Sequence, residues 1–285
     1  MMKVLVVGVS GMLGHVVFRH LSRDPGLEVW GSARSDGVLR HFDEDLRKSI
    51  LVGVDVLDTD ALIALLADVQ PDVIVNCVGL IKQLESSSDP LVALPINAML
   101  PHRLARLASM RGARLIHMST DCVFSGSKGG YTEDDPSDAT DIYGKSKYIG
   151  EVDYPNAITL RTSIIGPELE RATGLIGWFL GQEGTIKGFT RAIFSGLPTC
   201  ELASVIRTYV LPRPELRGVY HVAAKPISKY DLLSLTAEHY GKDITINPDD
   251  AVVIDRSLNS SRFSQETGYT TSEWPTLIQR MRDFT

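Results

Sequence analysis

Apolar strand-like runs alternate with longer amphipathic segments through the first half of the chain. The runs are almost continuously Val, Ile and Leu, which is typical of strands buried on both faces of a parallel sheet. The segments between them carry apolar residues at helical spacing. Repeated strand–helix–strand units predict an α/β fold with a doubly wound parallel (Rossmann) sheet. The predicted strands are 3–8, 27–31, 50–56, 72–79, 114–120 and 157–165, and the helical segments are 11–23, 60–69 and 95–110.

The rhythm changes after about residue 166. Residues 167–189 show no regular period, whereas 198–210 and 228–241 have helical spacing and 218–224 has the pattern of a strand. We therefore predict a Rossmann domain over 1–166 and a smaller substrate-binding lobe over 167–285, with 218–224 returning to the main sheet.

Composition narrows the class of protein. The chain has 285 residues, of which 44% are hydrophobic and 22% charged, and its net charge is -6 without a basic tract, so nucleic-acid binding is not expected. No run of about 20 apolar residues predicts a membrane span, and glycines interrupt the apolar start of the chain, which argues against a secretory signal.

Cys77, Cys122 and Cys200 are too dispersed for a disulfide framework or a cysteine zinc site, which predicts a cytoplasmic setting. A homodimer is left open.

A glycine-rich stretch, GVSGMLG, follows the first predicted strand and opens the first helix. It places Gly8, Gly11 and Gly14 where a dinucleotide-binding loop would need them. Without a side chain the backbone can turn tightly and approach a pyrophosphate, whose charge the helix N-terminus favours. The spacing is G-x-x-G-x-x-G, with Ser10 where the long-chain dinucleotide motif has glycine. This variant is similar to that of the extended short-chain dehydrogenase/reductases.

The end of the second predicted strand bears on which dinucleotide binds. An acid there would accept hydrogen bonds from the ribose 2′-hydroxyl and repel a 2′-phosphate. This chain instead has Ser32 and Arg34, with no acid until Asp36, and the Arg34 guanidinium could pair with a 2′-phosphate. We therefore predict NADPH as the cofactor, with NADH as the alternative. Asp55, at the end of the third predicted strand, is placed to reach the adenine unless it is only a turn residue.

Hydroxyl, phenol and ammonium groups converge near the end of the fifth predicted strand. Ser119, Thr120 and Asp121 fall at the carboxyl edge of the sheet, where parallel-sheet enzymes work. Tyr143 and Lys147 are four positions apart, so they share one face of a helix. These groups suit carbonyl reduction, in which nicotinamide supplies hydride, a phenol supplies the proton and a threonine hydroxyl binds the carbonyl oxygen. Such chemistry requires no metal.

A free phenol has a pKa near 10, and lowering it by about 3 units takes roughly 4 kcal/mol. One ammonium at about 4 Å supplies about 4 kcal/mol at an effective dielectric near 20. We therefore predict that Lys147 lowers the pKa of Tyr143 and also holds the ribose hydroxyls.

The ordered set GVSGMLG, NCVG, STDCVF, YGKSK and LRTS resembles the dTDP-4-dehydrorhamnose reductase family, from residue 3 to about 265. The resemblance implies NADPH-dependent reduction of the 4-keto group of a nucleotide-diphosphate 6-deoxyhexose in polysaccharide biosynthesis. It also implies that Asn97 braces the active-site helix. Together with the positions above, the predicted sites are Thr120, Tyr143 and Lys147 for catalysis; Gly8, Ser10, Gly11, Met12, Leu13, Gly14, Ser32, Arg34, Asp55, Asn76, Cys77, Val78, Gly79 and Lys147 for the cofactor; and Asp121, Cys122, Val123 and Arg256 for the substrate.

Two positions depart from the family pattern. The family usually has an aromatic residue after STD, where this chain has Cys122, and commonly has Trp after LRTS, where it has Ile164. Both positions are expected to face the substrate, so the resemblance supports the chemistry more strongly than the identity of the sugar. A pocket without these rings could admit a bulkier group, such as the 2-acetamido substituent of a UDP-linked sugar.

Two other functions remain open. The β subunit of methionine adenosyltransferase is similar to the same family and binds NADP as a non-catalytic regulatory subunit. A binding role alone would not require Thr120, Tyr143 and Lys147 together. A sugar-nucleotide epimerase would use the same tyrosine chemistry with a retained NAD.

Overall fold

The structure is a computed structural model and describes residues 1–82, 85–170 and 172–284. Its strands are β1 (Met2–Val7), β2 (Leu27–Ser32), β3 (Ile50–Leu51), β4 (Val73–Asn76), β5 (Arg114–Thr120), β6 (Ala157–Thr162), β7 (Ile164–Ile165), β8 (Thr185–Phe189), β9 (Ala192–Phe194), β10 (Leu197–Pro198), β11 (Gly218–His221), β12 (Ile227–Ser228), β13 (Thr245–Asp249) and β14 (Ile254–Asp255).

The α-helices flank these strands. They are α1 (Gly14–Ser22), α2 (Glu44–Arg47), α3 (Thr59–Val69), α4 (Pro90–Ala93), α5 (Leu100–Met110), α6 (Ile142–Ile149), α7 (Leu175–Leu180), α8 (Thr199–Val205), α9 (Lys229–Tyr240), α10 (Ser261–Thr267) and α11 (Trp274–Asp283). Short 3₁₀ turns cover Asp36–His41, Glu85–Ser88 and Asp121–Val123, and π-helical turns cover Leu94–Met99 and Ile206–Val210.

A parallel sheet forms the centre of the molecule. Across the described ranges it has seven strands in the order β11-β6-β5-β4-β1-β2-β3, and every neighbouring pair is parallel. This order confirms the predicted doubly wound α/β fold. The order of the strands runs toward one edge of the sheet from β1 to β3 and toward the opposite edge from β4 onward. This change of order between β1 and β4 opens a crevice at the carboxyl ends of these two strands.

Alternate side chains of the central strands enter two separate apolar cores. On β1, Val4 and Val6 pack in the cluster that contains Phe18 of α1, whereas Leu5 and Val7 pack in the cluster that contains Leu62 of α3. Successive residues of a strand point to opposite faces, so one core lies on each side of the sheet. This double burial explains the nearly continuous apolar composition of the strands.

Three predicted segments differ from the structure. The third strand was expected over 50–56 but ends at Leu51, and the sixth divides into β6 and the short β7. Residues 167–189 were expected to be irregular, yet they contain α7 and β8; residue 171 lies outside the described positions. Val52 and Gly53, which follow β3, are exposed, so the apolar composition of 50–56 does not mark a strand that is buried along its whole length.

The second half of the chain adds small sheets and one strand of the main sheet. β7 pairs with β10, β8 pairs with β13, and β9 lies between β12 and β14. β11 lies beside β6 at the edge of the central sheet, where 218–224 was expected to return. The division at residue 166 into a domain and a substrate-binding lobe stays a prediction.

Arg114 fastens the beginning of β5 to the loop that precedes β11. Its guanidinium donates to the carbonyl oxygens of Val210 and Leu216, each at 2.7 Å. All three residues are buried, so the arginine supplies charged donors to carbonyls that lie away from water; the Val210 carbonyl also accepts the Arg213 N–H at 3.2 Å.

We expect Arg114→Met to lower the free energy of unfolding by about 2–3 kcal/mol, because two buried carbonyls lose a charged donor. Urea unfolding followed by circular dichroism measures the change. Arg111→Met, at an exposed position nearby, is the matched control and should leave the midpoint unchanged. Equal midpoints for both variants would contradict the assigned role.

Candidate active site

The glycine loop at 8–14 connects β1 to α1 and packs tightly against its neighbours. Gly8 has a φ of +93°, a conformation that residues with side chains rarely adopt. A Cβ atom on Gly14 would lie 2.0 Å from the Gly8 carbonyl oxygen, and one on Gly8 would lie 2.6 Å from Val78 Cγ2. The fold itself therefore requires glycine at both positions.

Gly11 is not required by packing. A Cβ there would meet no described atom closer than 3.6 Å, which is ordinary contact. α1 has no acidic residue in its first turn and no side-chain cap, and no hydrogen bond within the described chain takes up the N–H groups of Met12 and Leu13. The loop thus presents free donors and the positive end of a helix dipole, which fits a pyrophosphate.

The remaining loop residues differ in what they can offer a ligand. Ser10 is exposed, whereas the Leu13 side chain lies in the core and is only 5% exposed, so Leu13 can contribute backbone alone. Met12 packs toward the second half of the chain: a Cβ on Gly174 would lie 2.5 Å from its Cε.

Ser32 and Arg34 lie at the end of β2 beside the glycine loop. Ser32 is 1% exposed, and its carbonyl oxygen accepts the N–H groups of Gly8 at 3.1 Å and Val9 at 3.0 Å. Ser32 therefore supports the loop through its backbone. Arg34 is exposed and forms no ion pair with any described acid, so its guanidinium is free for an anion. Recognition of a 2′-phosphate by Arg34 stays a prediction.

Asp55 was expected to end the third strand, but the structure places it after that strand. β3 stops at Leu51, and Asp55 lies in the turn before α3, where its Oδ1 accepts the Leu57 N–H at 2.9 Å. The carboxylate is exposed. A contact with adenine stays a prediction, but the residue has the turn-forming role that the sequence also allowed.

The segment after β4 lies directly across from the glycine loop. The Cys77 N–H donates to the Val7 carbonyl at 3.0 Å, and Asn76 Oδ1 accepts the Val78 N–H at 3.1 Å. Burial raises the pKa of Cys77 to about 12, so the residue stays a neutral thiol. Gly79 continues the segment toward Lys147: a Cβ on Gly79 would lie 3.8 Å from the Lys147 Nζ.

Thr120 and Tyr143 meet at the carboxyl end of β5. The Thr120 hydroxyl acts to lower the pKa of Tyr143, so the two side chains lie near each other although they are far apart in sequence. Thr120 Oγ1 also accepts the Cys122 N–H and donates to Asp121 Oδ1, both at 3.2 Å. The threonine is thereby fixed in position beside the phenol.

Tyr143 lies on α6, which approaches β5 unusually closely. Asp141 caps this helix by accepting the Gly144 N–H at 2.8 Å. A Cβ on Gly144 would lie 2.3 Å from the Cys122 carbonyl oxygen, and one on Gly150 would lie 1.9 Å from the Asn97 carbonyl oxygen. Glycine at these two positions allows the helix to contact both the end of β5 and the Leu94–Met99 turn.

Lys147 is buried one helical turn after Tyr143. Its Nζ donates to the Met118 carbonyl oxygen at 2.6 Å. Burial lowers the pKa of Lys147 to about 8, and the nearby Glu151 carboxylate acts in the opposite direction. The lysine therefore changes charge close to neutral pH.

The prediction that Lys147 lowers the pKa of Tyr143 is wrong for this structure. Burial raises the pKa of Tyr143, Cys122 and Asp121 add to the effect, and only the hydrogen bond from Thr120 opposes it. The ammonium is held by the Met118 carbonyl instead of the phenol. The phenol therefore stays protonated at neutral pH.

Asn97 connects the cofactor side of the site to α6. The residue is 1% exposed, and its Oδ1 accepts the Leu80 N–H at 2.9 Å. Its Nδ2 donates to Ser146 Oγ at 3.2 Å, and Ser146 in turn donates to the Tyr143 carbonyl at 2.9 Å. This chain of hydrogen bonds gives Asn97 the bracing position that the resemblance implied.

Comparison with known proteins places this geometry in a family. A family model described as the RmlD substrate binding domain matches residues 2–265. The chain belongs to the RmlD family. A protein named "Probable low-salt glycan biosynthesis reductase" from Haloferax volcanii is 31% identical over 258 residues, which cover 86% of this chain and 82% of that protein.

Other RmlD relatives carry different names. Methionine adenosyltransferase 2 subunit beta from Mus musculus is 26% identical over 98% of this chain and 89% of its own length. A dTDP-4-dehydrorhamnose reductase from Bacillus anthracis, solved in complex with NADP, superposes with a TM-score of 0.81. It is 20% identical and covers 100% of this chain and 99% of its own, a level of identity that shows the shared fold.

The turn after Thr120 holds three of the residues that are predicted to contact the substrate. Asp121 is buried, which raises its pKa, while the Arg256 cation acts to lower it. Arg256 Nε donates to the Phe124 carbonyl at 2.7 Å, which places the guanidinium near Asp121 and Cys122. Cys122 is half-buried, and burial raises its pKa to about 12.

Val123 was expected to contact the substrate, but its burial prevents this. Its side chain is 0% exposed and packs with Phe124 and Tyr131 in a small separate core. In the 3₁₀ turn that begins at Asp121, the Cys122 side chain is half-buried, whereas Asp121 is 8% exposed and Val123 is 0% exposed.

The sequence did not predict two ion pairs around α6. Lys82 Nζ lies 2.7 Å from Oδ2 of the capping Asp141, and Arg161 forms a buried pair with Glu151, with 2.6 Å between Arg161 NH2 and Glu151 Oε2. Glu151 lies four residues after Lys147, so helical spacing indicates Lys147 and not Arg161 as its partner. No local signal pointed to Lys82.

Two kinds of feature are absent from the part of the chain that the structure describes. No group of His, Cys, Asp and Glu side chains there could hold a metal ion. No described helix has the length and apolar character needed to cross a membrane.

We expect Gly14→Ala and Gly11→Ala to distinguish a glycine that packing requires from a glycine that leaves room for a ligand. Gly14→Ala should lower Tm by several degrees, since its Cβ would overlap the Gly8 carbonyl. Gly11→Ala should keep Tm within about 1 °C while weakening NADPH binding by about tenfold. Thermal denaturation and NADPH fluorescence titration measure the two effects. A large loss of Tm in Gly11→Ala would contradict this division.

Proposed function

We propose that this chain is an NADPH-dependent reductase of the 4-keto group of a nucleotide-diphosphate 4-keto-6-deoxyhexose, acting in polysaccharide biosynthesis in the cytoplasm. The observation that carries the proposal is the placement of Thr120 near Tyr143, with buried Lys147, at the carboxyl edge of the sheet, opposite the glycine loop. Membership of the RmlD family and the reductase name of the Haloferax relative support the same reaction class.

The cofactor would lie across the crevice between β1 and β4. Its pyrophosphate would bind the free N–H groups of the glycine loop, its 2′-phosphate would pair with Arg34, and the segment 77–79 would line the nicotinamide half. When bound, NADPH supplies the hydride for the carbonyl carbon. NADH remains the alternative donor, because Arg34 is the single residue that favours the phosphorylated form.

Tyr143 is the proton donor in this proposal. Its raised pKa ensures that it carries its proton at neutral pH, and an alkoxide is a stronger base than a phenolate, so transfer is downhill once the alkoxide forms. Thr120, near the phenol, orients the carbonyl oxygen toward the same point. Lys147 faces the segment at Gly79 and would hold the ribose hydroxyls of the cofactor.

The substrate would lie over Asp121, Cys122 and Arg256. The guanidinium of Arg256 has free N–H groups beyond the one that binds Phe124, and it suits a diphosphate or sugar hydroxyl. Cys122 and Ile164 replace two aromatic rings that relatives commonly have, which leaves space for a 2-acetamido group on a UDP-linked sugar. The nucleotide is thus proposed to be either dTDP or UDP, with the larger pocket favouring the latter.

A panel of dTDP- and UDP-linked 4-keto-6-deoxysugars, with and without a 2-acetamido group, tests the substrate. We expect NADPH consumption with at least one member, and higher kcat/KM for the UDP-linked 2-acetamido sugar. A far higher kcat/KM for the dTDP-linked sugar would refute the larger-pocket argument while keeping the reductase assignment. Absorbance at 340 nm, where only the reduced nicotinamide absorbs, follows the reaction.

We expect Tyr143→Phe to reduce kcat by on the order of 10²–10⁴-fold, because the general acid is lost, with NADPH affinity little changed. Tyr148→Phe removes an exposed phenol from the same helix and is the matched control. Steady-state kinetics and NADPH titration give both quantities. Normal turnover in Tyr143→Phe would remove the phenol from the mechanism.

A regulatory subunit is the second candidate function. It is favoured by the match to methionine adenosyltransferase 2 subunit beta over 98% of this chain. A subunit of that kind would bind NADPH without consuming it in the presence of any sugar in the panel. Binding without turnover, together with co-purification of a partner enzyme, would favour this function.

A further inference from the structure

The turn after β2 binds an acid that comes from the other half of the chain. β2 is followed by Arg34 and by the 3₁₀ turn Asp36–His41, and the neighbouring sequence offers no acid before Asp36. The structure brings Glu170 to the end of this turn. In a dinucleotide-binding fold, an acid near the end of the second strand acts on the ribose 2′ position of the cofactor.

Glu170 is held by the last two residues of the turn. Arg40 NH2 donates to Glu170 Oε1 at 2.6 Å, and His41 Nε2 lies 3.3 Å from the same oxygen. Arg40 Nε lies 3.2 Å from that imidazole nitrogen, so the three side chains form one compact cluster. The side chains of Arg40 and Glu170 are 66% and 50% exposed. Exposed ion pairs contribute little free energy, so another anion can compete with the carboxylate for Arg40.

The cluster lies beside the part of the fold that would receive the cofactor. The carbonyl oxygen of Ser32, the last residue of β2, accepts two N–H groups of the glycine loop. The His41 carbonyl accepts a hydrogen bond from Arg19 of α1, and the Phe42 ring packs against Phe18 of the same helix, with 5.5 Å between the ring centres. The turn is therefore packed against the helix whose N-terminus would bind the pyrophosphate, and the adjoining ribose would lie near the turn.

The order of the strands explains how residue 170 reaches this position. β6 ends at Thr162, and four strand spacings of about 4.8 Å, or about 19 Å, separate it from β2. The eight residues from Thr162 to Glu170 span at most about 27 Å. The segment therefore crosses the ends of the intervening strands with little slack. Leu169 packs against the core cluster that contains Phe18, which fixes the segment next to Glu170.

The cluster changes the charge that a 2′-phosphate would meet. Arg34 forms no ion pair with any described acid and supplies one free cation. Arg40 is paired with Glu170, so these two side chains together add no net charge. A phosphate monoester carries nearly two negative charges at neutral pH, whereas the adenosine ribose of NADH has a neutral hydroxyl at the same position. Neutralising Arg40 therefore weakens the attraction for NADPH and leaves that for NADH unaffected.

We propose that Glu170 is a specificity-determining residue, whose carboxylate occupies Arg40 and so reduces the preference of this chain for NADPH over NADH. Arg40 becomes a second cation for the 2′-phosphate only when Glu170 is displaced or removed. Loss of the acid and loss of the arginine should therefore change NADPH affinity in opposite directions. The inference rests on the proposed use of a nicotinamide cofactor and not on the identity of the sugar.

Fluorescence titration with NADPH and with NADH tests the assignment without any turnover. In Glu170→Gln we expect the Kd for NADPH to fall by about three- to fivefold at low salt, the effect of a unit charge freed about 10 Å from a phosphate in water. In Arg40→Met the Kd for NADPH should rise by a similar factor or more, because the carboxylate is left unpaired. The Kd for NADH should change by less than about twofold in both variants.

Glu273→Gln is the matched control, because it also removes an exposed carboxylate from an ion pair, here with Lys225. It should leave both Kd values unchanged. Raising the salt concentration should reduce the effect of Glu170→Gln, since the charges are screened. An unchanged ratio of the two Kd values in Glu170→Gln, or weaker NADPH binding in that variant, would overturn the proposal. Equal weakening of NADPH and NADH in Arg40→Met would also contradict it.

Failure of the proposed function would give a different result. A chain that binds NADPH but turns over no ketosugar would count against the reductase, while the ratio of the Kd values would still decide the role of Glu170. A parent chain that binds neither dinucleotide would contradict both.

Discussion

The site depends on how closely the α6 helix approaches the end of β5. Gly144 and Gly150 allow that approach, because any side chain at either position would overlap a backbone carbonyl of a neighbouring element. With the helix at this distance, Tyr143 and Lys147, which are four residues apart, both reach the end of β5. The threonine, phenol and ammonium are therefore brought together by backbone packing, and the Asn97–Ser146 hydrogen bond holds the helix at that distance.

Burial controls protonation throughout the site. The same loss of water that keeps Tyr143 protonated also weakens the charge of Lys147, so the two residues are pushed toward neutrality together. A phenol that is to donate a proton benefits from this environment, whereas an ammonium does not.

The sequence allowed prediction of features that depend on local pattern. The continuous apolar runs gave the sheet, and the glycine spacing between β1 and α1 gave the phosphate loop. Features that depend on tertiary packing were not predictable: the direction of the Val123 side chain follows from a 3₁₀ turn, and the pairing of Lys82 with Asp141 joins residues 59 positions apart. The expected effect of Lys147 on the pKa of Tyr143 is wrong for the same reason. Helical spacing brings the two residues close together, but it does not determine that the ammonium donates to the Met118 carbonyl.

The position of β11 has a consequence for how the chain folds during its synthesis. β6 ends at Thr162, but the strand that covers its outer edge begins at Gly218, after much of the second half of the chain. During synthesis on the ribosome, β6 would leave its outer backbone groups unpaired until that later strand emerges, and exposed edges of this kind invite aggregation. The central sheet is thus completed only by a strand from the second half of the chain.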